Sequence, residues 1–313
     1  MKNIEVIIGE YFTDHNMSNR TDLSPLNPWT VALGLDQHCS NNPVSPNAKA
    51  IVFDLDETIG QFSNLQQLNN AFEVILRRSL KQEEFNELID LYPEFLRPGI
   101  LTILEFLAHK KKANAFQKMY LYTNNQCGRE WVHKIINYME TKIQSQLFDD
   151  IICAFKIKNK VVEIKRSTHN KTHAELIKCT IMKEANTEIC FIDNTYFEKM
   201  CGDKVYYILP RSYYHSLLKQ EIIDRLLNHI PVSVAPFNRD ILHDTLYNYC
   251  KENPNKNRDI KIDAEVTKKI MFHIREYLYF AKNCNKILKI PRNVKSARKP
   301  MTRCRKNKTV KKM

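Results

Sequence analysis

Ala50-Ile51-Val52-Phe53-Asp54-Leu55-Asp56-Glu57-Thr58 is an apolar run that ends abruptly in acids. Unbroken apolar residues of this length predict a strand covered on both faces, as in a parallel sheet. Asp54 and Asp56 stand two apart, so an extended backbone directs both carboxylates to the same side. Two carboxylates facing one small volume repel each other unless a cation or a shared proton compensates. A hard divalent ion that takes oxygen ligands, Mg²⁺, is the natural partner, and Asp193 offers it a further carboxylate.

Outward from this stretch the same form recurs. Lys118-Met119-Tyr120-Leu121-Tyr122 ends at Thr123-Asn124-Asn125, and Glu188-Ile189-Cys190-Phe191-Ile192 ends at Asp193-Asn194. Val205-Tyr206-Tyr207-Ile208-Leu209 and Ile151-Ile152-Cys153-Ala154-Phe155 read as further strands. Helical spacing fills the gaps: Ile100, Ile103, Leu104 and Leu107; Trp131, Ile135, Ile136 and Met139; Leu176, Ile177 and Ile181. Strands alternating with helices predict an α/β fold, a Rossmann-like open parallel sheet with helices on both faces and right-handed crossovers. Ligands of such sheets sit outside the carboxyl ends of the strands. Asp54, Asp56 and Thr58, then Thr123 and Asn124, then Asp193 and Asn194 all fall there.

The remaining organisation is read from composition. Of the 313 residues, 43% are hydrophobic and 10% aromatic, enough for a packed core. Residues 1–46 are polar and turn-rich and read as a flexible leader, in which Trp29-Thr30-Val31-Ala32-Leu33 is a patch able to dock. Residues 47–230 form the core. Within it, 59–97 hold two amphipathic stretches, a helical cap-like insertion that should stand over the carboxyl edge of the sheet. Residues 231–285 read as a mainly helical appendage, and 286–313 as a basic disordered tail. That tail carries twelve Lys or Arg and no acid, so the net charge of +13 is local and the rest of the chain is near neutrality at +1. It suits a nuclear-import signal or an anchor on a nucleic-acid backbone or other acidic partner, and it lacks aromatics for base stacking.

Several classes are excluded. The six glycines are too scattered for a glycine-rich phosphate loop. No run of ~18 apolar residues occurs, so no membrane span is expected. The amino terminus does not read as a signal peptide. Nine cysteines without a CxxC pair read as reduced thiols of an intracellular protein, in cytoplasm or nucleus. His169 and His173 could share a helix face, but further ligands for a metal are wanting.

These motifs resemble a known family. Ile51-Val52-Phe53-Asp54-Leu55-Asp56-Glu57-Thr58-Ile59 is similar to the first motif of the haloacid dehalogenase (HAD) superfamily. Its Asp-Leu-Asp-Glu-Thr form is typical of the small C-terminal-domain phosphatase branch, the NLI-interacting-factor-like group. Arg97-Pro98-Gly99 before an amphipathic helix, Leu121-Tyr122-Thr123-Asn124, and Phe191-Ile192-Asp193-Asn194 resemble later segments of that branch. The resemblance covers about residues 48–228. It looks closest to a divergent form of large DNA viruses and some protists that carries Leu-Tyr-Pro-Glu-Phe-Leu-Arg-Pro-Gly, here residues 91–99.

The resemblance implies a Mg²⁺-dependent phosphatase, with Asp54 as the nucleophile that forms an aspartyl-phosphate. Mg²⁺ would be held by Asp54, the backbone carbonyl of Asp56, and Asp193 or Asn194. Asp56 would act as general acid and then base. Thr123 and Asn124, with nearby N–H groups, would hold phosphoryl oxygens. A lysine would neutralise transition-state charge; Lys171 is favoured, with Lys165 and Lys178 as alternatives. A phosphoserine or phosphothreonine protein is the expected substrate. The long insertion departs from the branch, which keeps polynucleotide 3′-end phosphatase chemistry, and a non-catalytic phosphate-binding scaffold, as alternatives.

Overall fold

Along the chain two short strands come first, β1 (Val6–Ile7) and β2 (Thr30–Leu33). They are followed by β3 (Ala48–Phe53), α1 (Ser63–Leu76), α2 (Gln82–Asp90), α3 (Ile100–Lys112), β4 (Lys118–Tyr122), α4 (Arg129–Lys142) and β5 (Asp150–Ile152). Next are β6 (Lys156–Ile157), β7 (Lys160–Val161), α5 (His173–Thr180), β8 (Thr187–Ile192), β9 (Val205–Pro210), α6 (Lys219–Asn228), α7 (Arg239–Tyr249) and α8 (Ile260–Ile287). This is a computed structural model, and it describes residues 6–7, 30–33, 48–180, 182, 187–229, 239–252 and 260–287. The basic tail from residue 288 onward, and Ile181, lie outside the described residues.

The main sheet has the order β1-β2-β9-β8-β3-β4-β5. Its five central strands are parallel, and β2 and β1 add antiparallel at one edge. The fold is therefore α/β and Rossmann-like. β3 lies between β4 and β8, with Phe53 opposite both Leu121 and Ile192. That register makes three strands end level, so the residues that follow them emerge side by side.

Continuous apolar runs are explained by burial on both faces. Ile51, Phe53, Leu121 and Ile192 enter one core, which α1–α4 and α6–α8 cover. Val52, Tyr122 and Phe191 enter the other, where Leu176 and Cys179 of α5 pack.

Three parts of the chain outside the central strands take definite places, the 30–33 patch by docking as expected. The leader supplies β1 and β2, so Thr30–Leu33 docks as a strand on β9; β-branched and aliphatic residues there suit a pleated edge. The insertion packs on its helical neighbours. α1 packs on α7, and α2 packs on α4. Hydrogen bonds from Asn64 to the Lys251 carbonyl (3.3 Å) and from Lys134 to the Leu80 carbonyl (2.8 Å) tie it to them. The reason is the width of its apolar stripe: Leu65, Leu68, Phe72, Phe85, Leu88 and Ile89 all need helical partners. The appendage, finally, belongs to the main core through Leu242, Leu246, Val266, Ile270 and Ile274. From α8, the Tyr277 hydroxyl donates to the Glu188 carbonyl (2.9 Å), and Lys49 donates to the Tyr277 carbonyl (3.0 Å).

α2 contains a pH-sensitive tie. Glu84 accepts from Arg78 at 2.6 and 2.7 Å and from the Lys81 N–H at 2.7 Å. These bonds, Arg78 first, lower its pKa from 4.5 to about 2. A depressed carboxyl pKa stabilises the fold above the unfolded value and loses that contribution as pH falls through the folded one. Arg78→Gln is therefore expected to lower the melting temperature by roughly 2–4 °C at pH 7. The gap should close by about pH 2; a pH-independent gap would sink this account.

The loop that leaves β3 is tightly wound. Glu57 N–H donates to the Gly60 carbonyl (2.7 Å), and Gln61 N–H to the Phe95 carbonyl (2.8 Å). A Cβ on Gly60 would stand 2.4 Å from the Phe95 oxygen and 2.6 Å from the Phe62 ring. Gly60→Ala is expected to cost roughly 1–3 kcal/mol, read as a lower denaturation midpoint in urea. An unchanged midpoint would mean that this approach is not close.

Among the described residues no helix is long and apolar enough to cross a membrane. The described cysteines are free thiols.

Candidate active site

The level ends of β3, β4 and β8 bring together side chains distant in sequence. Asp54 is continuous with the sheet, its N–H donating to the Ile192 carbonyl at 2.8 Å. The residue is 6% exposed. Lys171 reaches it from the segment just before α5, and Lys171 Nζ lies 2.5 Å from Asp54 Oδ1 and 2.6 Å from Asp193 Oδ2. Thr172 at the head of α5 accepts from the Glu175 N–H (3.1 Å), an N-cap that leaves Lys171 just outside the helix. Lys171 sits among the rings of Tyr122, Phe191 and Phe197. Burial alone would lower its pKa; Asp193 and Asp54 outweigh burial and raise it. Lys171 is thus held as a cation.

Of the other candidate lysines, Lys165 donates to the Cys179 carbonyl (3.1 Å) and Lys178 is exposed. Neither meets the carboxylates among the described contacts.

Asp56 reaches the cluster from two residues beyond Asp54. Its Oδ2 accepts from Asn125 Nδ2 at 2.8 Å. Burial, and next the Asp54 carboxylate, push its pKa up to about 7. Its surface is only partly covered, so dense surroundings rather than full enclosure cause the shift. Burial also raises Asp193, with Lys171 opposing. Glu57 is raised for the same reasons, burial first and Asp54 second. It stands at φ 58°, in the left-handed region. Such strain survives only where neighbours hold it.

Arg97 is the chief of those neighbours. It is 1% exposed and donates to the carbonyls of Thr58 (2.6 Å), Glu57 (2.8 Å) and Arg211 (2.7 Å). Thr58 in turn donates to Asp54 Oδ2 at 3.1 Å and accepts from the Asn194 N–H at 3.0 Å. The Asn194 amide has its NH₂ turned inward, 3.3 Å from Asp54 Oδ2, 3.1 Å from the Asp56 carbonyl and 2.9 Å from the Thr58 hydroxyl, while its oxygen accepts from Ser212 (3.0 Å). The opposite orientation would set the amide oxygen against Asp54 Oδ2 and the Asp56 carbonyl with no proton between.

The two candidates after β4 part company. Thr123 is buried beside the site, and its hydroxyl accepts from the Asn125 N–H (3.0 Å). Asn124, expected to hold phosphoryl oxygens, does not face the carboxylates. It donates to the His169 carbonyl (2.8 Å) and accepts from Arg166 (2.8 Å). The turn at Thr123 explains the correction: side chains alternate as the chain leaves the strand, so Asn125 takes the inward place.

Sequence reasoning missed Asn125, Arg97's role, Ser212 and Arg166. Arg166 is 3% exposed and donates to the carbonyls of Cys153 (2.7 Å) and Thr123 (3.2 Å), pinning the ends of β4 and β5 together. Cavities of about 480 and 490 Å³ flank Pro98 and Gly99, and neither is lined by the carboxylates. Chemistry, not cavity size, marks this site. Among the described residues no cluster of three Asp, Glu, His or Cys side chains is spaced for a metal, so a cation here would depend on carbonyl and amide oxygens as well.

The chain matches no protein-family model and none of the curated proteins.

Proposed function

We propose that this protein is a Mg²⁺-dependent phosphatase of HAD type that works through an aspartyl-phosphate, acting on phosphoserine or phosphothreonine in proteins. The observation that carries the reading is Lys171 Nζ bridging Asp54 and Asp193 beside Asp56. Two carboxylates meet one ammonium and a third, Asp56, stands close by on Asn125, so that the acids outnumber the cation and a further cation would offset the excess. With its amide reversed, Asn194 would add an oxygen next to Asp54 Oδ2 and the Asp56 carbonyl. That all-oxygen donor set suits Mg²⁺. When bound, the ion would screen the repulsion between carboxylate and phosphate.

The chain's own groups then have distinct tasks. Asp54 attacks phosphorus. Asp56, raised to about 7, can hold a proton for the leaving oxygen and take one back from water. Lys171 opposes charge on the phosphoryl oxygens and Asp193 orients it. Thr123 lines the place those oxygens occupy. The intracellular location expected from the cysteines belongs to the same reading.

The direct test is hydrolysis of p-nitrophenyl phosphate by the purified chain. Turnover with Mg²⁺ that is lost in EDTA and restored by added Mg²⁺ is expected. Turnover indifferent to EDTA, or none at all, would count against the reading.

A further inference from the structure

A two-stranded arm stands at the same sheet edge as the acids. β5 ends at Ile152, the chain turns out through β6 and β7, and it returns to Arg166 and then Lys171. Lys156 pairs with Val161 and Ile157 with Lys160, around Lys158 (φ 47°) and Asn159 (φ 64°). Two adjacent positive φ values in a two-residue loop are the requirement of a tight hairpin turn. Arg166 fixes the base of the arm, since one guanidinium donates to Cys153, Thr123 and Asn124. The arm is therefore anchored to the strand end that carries Thr123.

Its surface is mainly basic and aliphatic: Lys156, Lys158, Lys160 and Lys165 stand against one acid, Glu163, which accepts from the Lys165 N–H at 3.4 Å. Lys156, Lys158 and Lys160 have no carboxylate partner among the described residues. Val161, Val162 and Ile164 are 50%, 40% and 81% exposed. Exposed β-branched residues on and just after a short edge strand are a liability that proteins usually avoid. Here they lie among lysines, on an arm whose base Arg166 ties to the Thr123 carbonyl (3.2 Å). No exposed Phe, Tyr or Trp stands on the arm, so it lacks the stacking platforms that single-stranded nucleic acid uses.

We infer that the 155–165 arm is a substrate-docking element that takes an extended acidic peptide flanking the phosphorylated residue, its acids on Lys156, Lys158 and Lys160 and an aliphatic side chain against Val161 or Ile164. The inference rests on the phosphatase reading for the place of the phosphate. Charge complementarity chooses the partner, and strand addition along β7 supplies a geometry for it.

The test compares wild type with the triple variant K156E/K158E/K160E. Phosphoserine peptides with acidic flanks, the same peptides with lysine flanks, a 3′-phosphorylated oligonucleotide and p-nitrophenyl phosphate serve as substrates. The same peptides, fluorescently labelled, are titrated by anisotropy. The variant is expected to keep wild-type turnover of p-nitrophenyl phosphate. Its kcat/KM and affinity for acidic peptides should fall about tenfold or more, and lysine-flanked peptides should gain. Acidic and basic flanks treated alike by wild type would overturn the inference. So would an oligonucleotide preferred over the acidic peptide and weakened by the same variant. If p-nitrophenyl phosphate is not hydrolysed but acidic peptides bind through the lysines, the phosphatase reading fails and the docking arm stands.

Discussion

Asp54→Asn is expected to abolish turnover of p-nitrophenyl phosphate, by about a thousandfold or more, without unfolding the protein. The amide keeps the shape of the side chain but is no nucleophile toward phosphorus, and no neighbouring group is placed to replace it. Asp56 is turned toward Asn125, and Asp193 is engaged by Lys171 and the Thr195 N–H at 2.8 Å. The substitution should also relieve crowding. The Asp54 charge raises the pKa of Asp56, Glu57 and Asp193 alike, so its removal favours their ionised forms. The melting temperature is expected to hold or rise in the absence of Mg²⁺, where an ordinary loss-of-function change would lower it. Turnover within a few fold of wild type would end the case for Asp54 as nucleophile. Lost turnover with a collapsed circular-dichroism spectrum would show only damage.

Lys171→Met should strike both stability and rate. The wild-type ammonium is 2% exposed and lies between two carboxylates. Removing one partner of a buried ion pair strands the other, at a cost of about 3–5 kcal/mol. Added Mg²⁺ is expected to recover part of that loss, because it brings positive charge to the same acids. Turnover should fall by about a hundred- to a thousandfold, the scale of losing one charge-stabilising donor. Lys165→Met and Lys178→Met provide the contrast. The first loses one carbonyl hydrogen bond and the second nothing but solvent-exposed charge. A Lys171 variant no worse than these two would remove Lys171 from the site.

The sheet was legible because strands buried on both faces must be apolar throughout, as residues 50–53 and 189–192 are. The placement of Asp54 and Asp193 followed, since a polar residue at the end of such a run has nowhere to go but the sheet's rim. Asn124 and Asn125 were not separable in this way: which of them faces inward depends on the turn that Thr123 makes, and composition does not encode it. The role of Arg97, and Arg166 altogether, escaped notice because a lone arginine in a sequence reads as surface. Their burial becomes intelligible only once several carbonyls are seen to need a donor. The β6–β7 hairpin is too short to show any period. The helical character of residues 231–285 was visible, but it names no partner, so the place of α8 against the sheet could not be read.

That place has a consequence for synthesis on the ribosome. Lys49 beside the central strand is bonded to a residue 228 positions later, and the Tyr277 hydroxyl closes over the carbonyl of Glu188. Every acid of the site has emerged from the exit tunnel long before Tyr277 is translated. Until then one face of the sheet lacks its cover, and apolar surface stays open to water. A nascent chain halted at about residue 230 would carry the full set of acids and lysine yet lack the scaffold that aligns them, and it would be a client for chaperones.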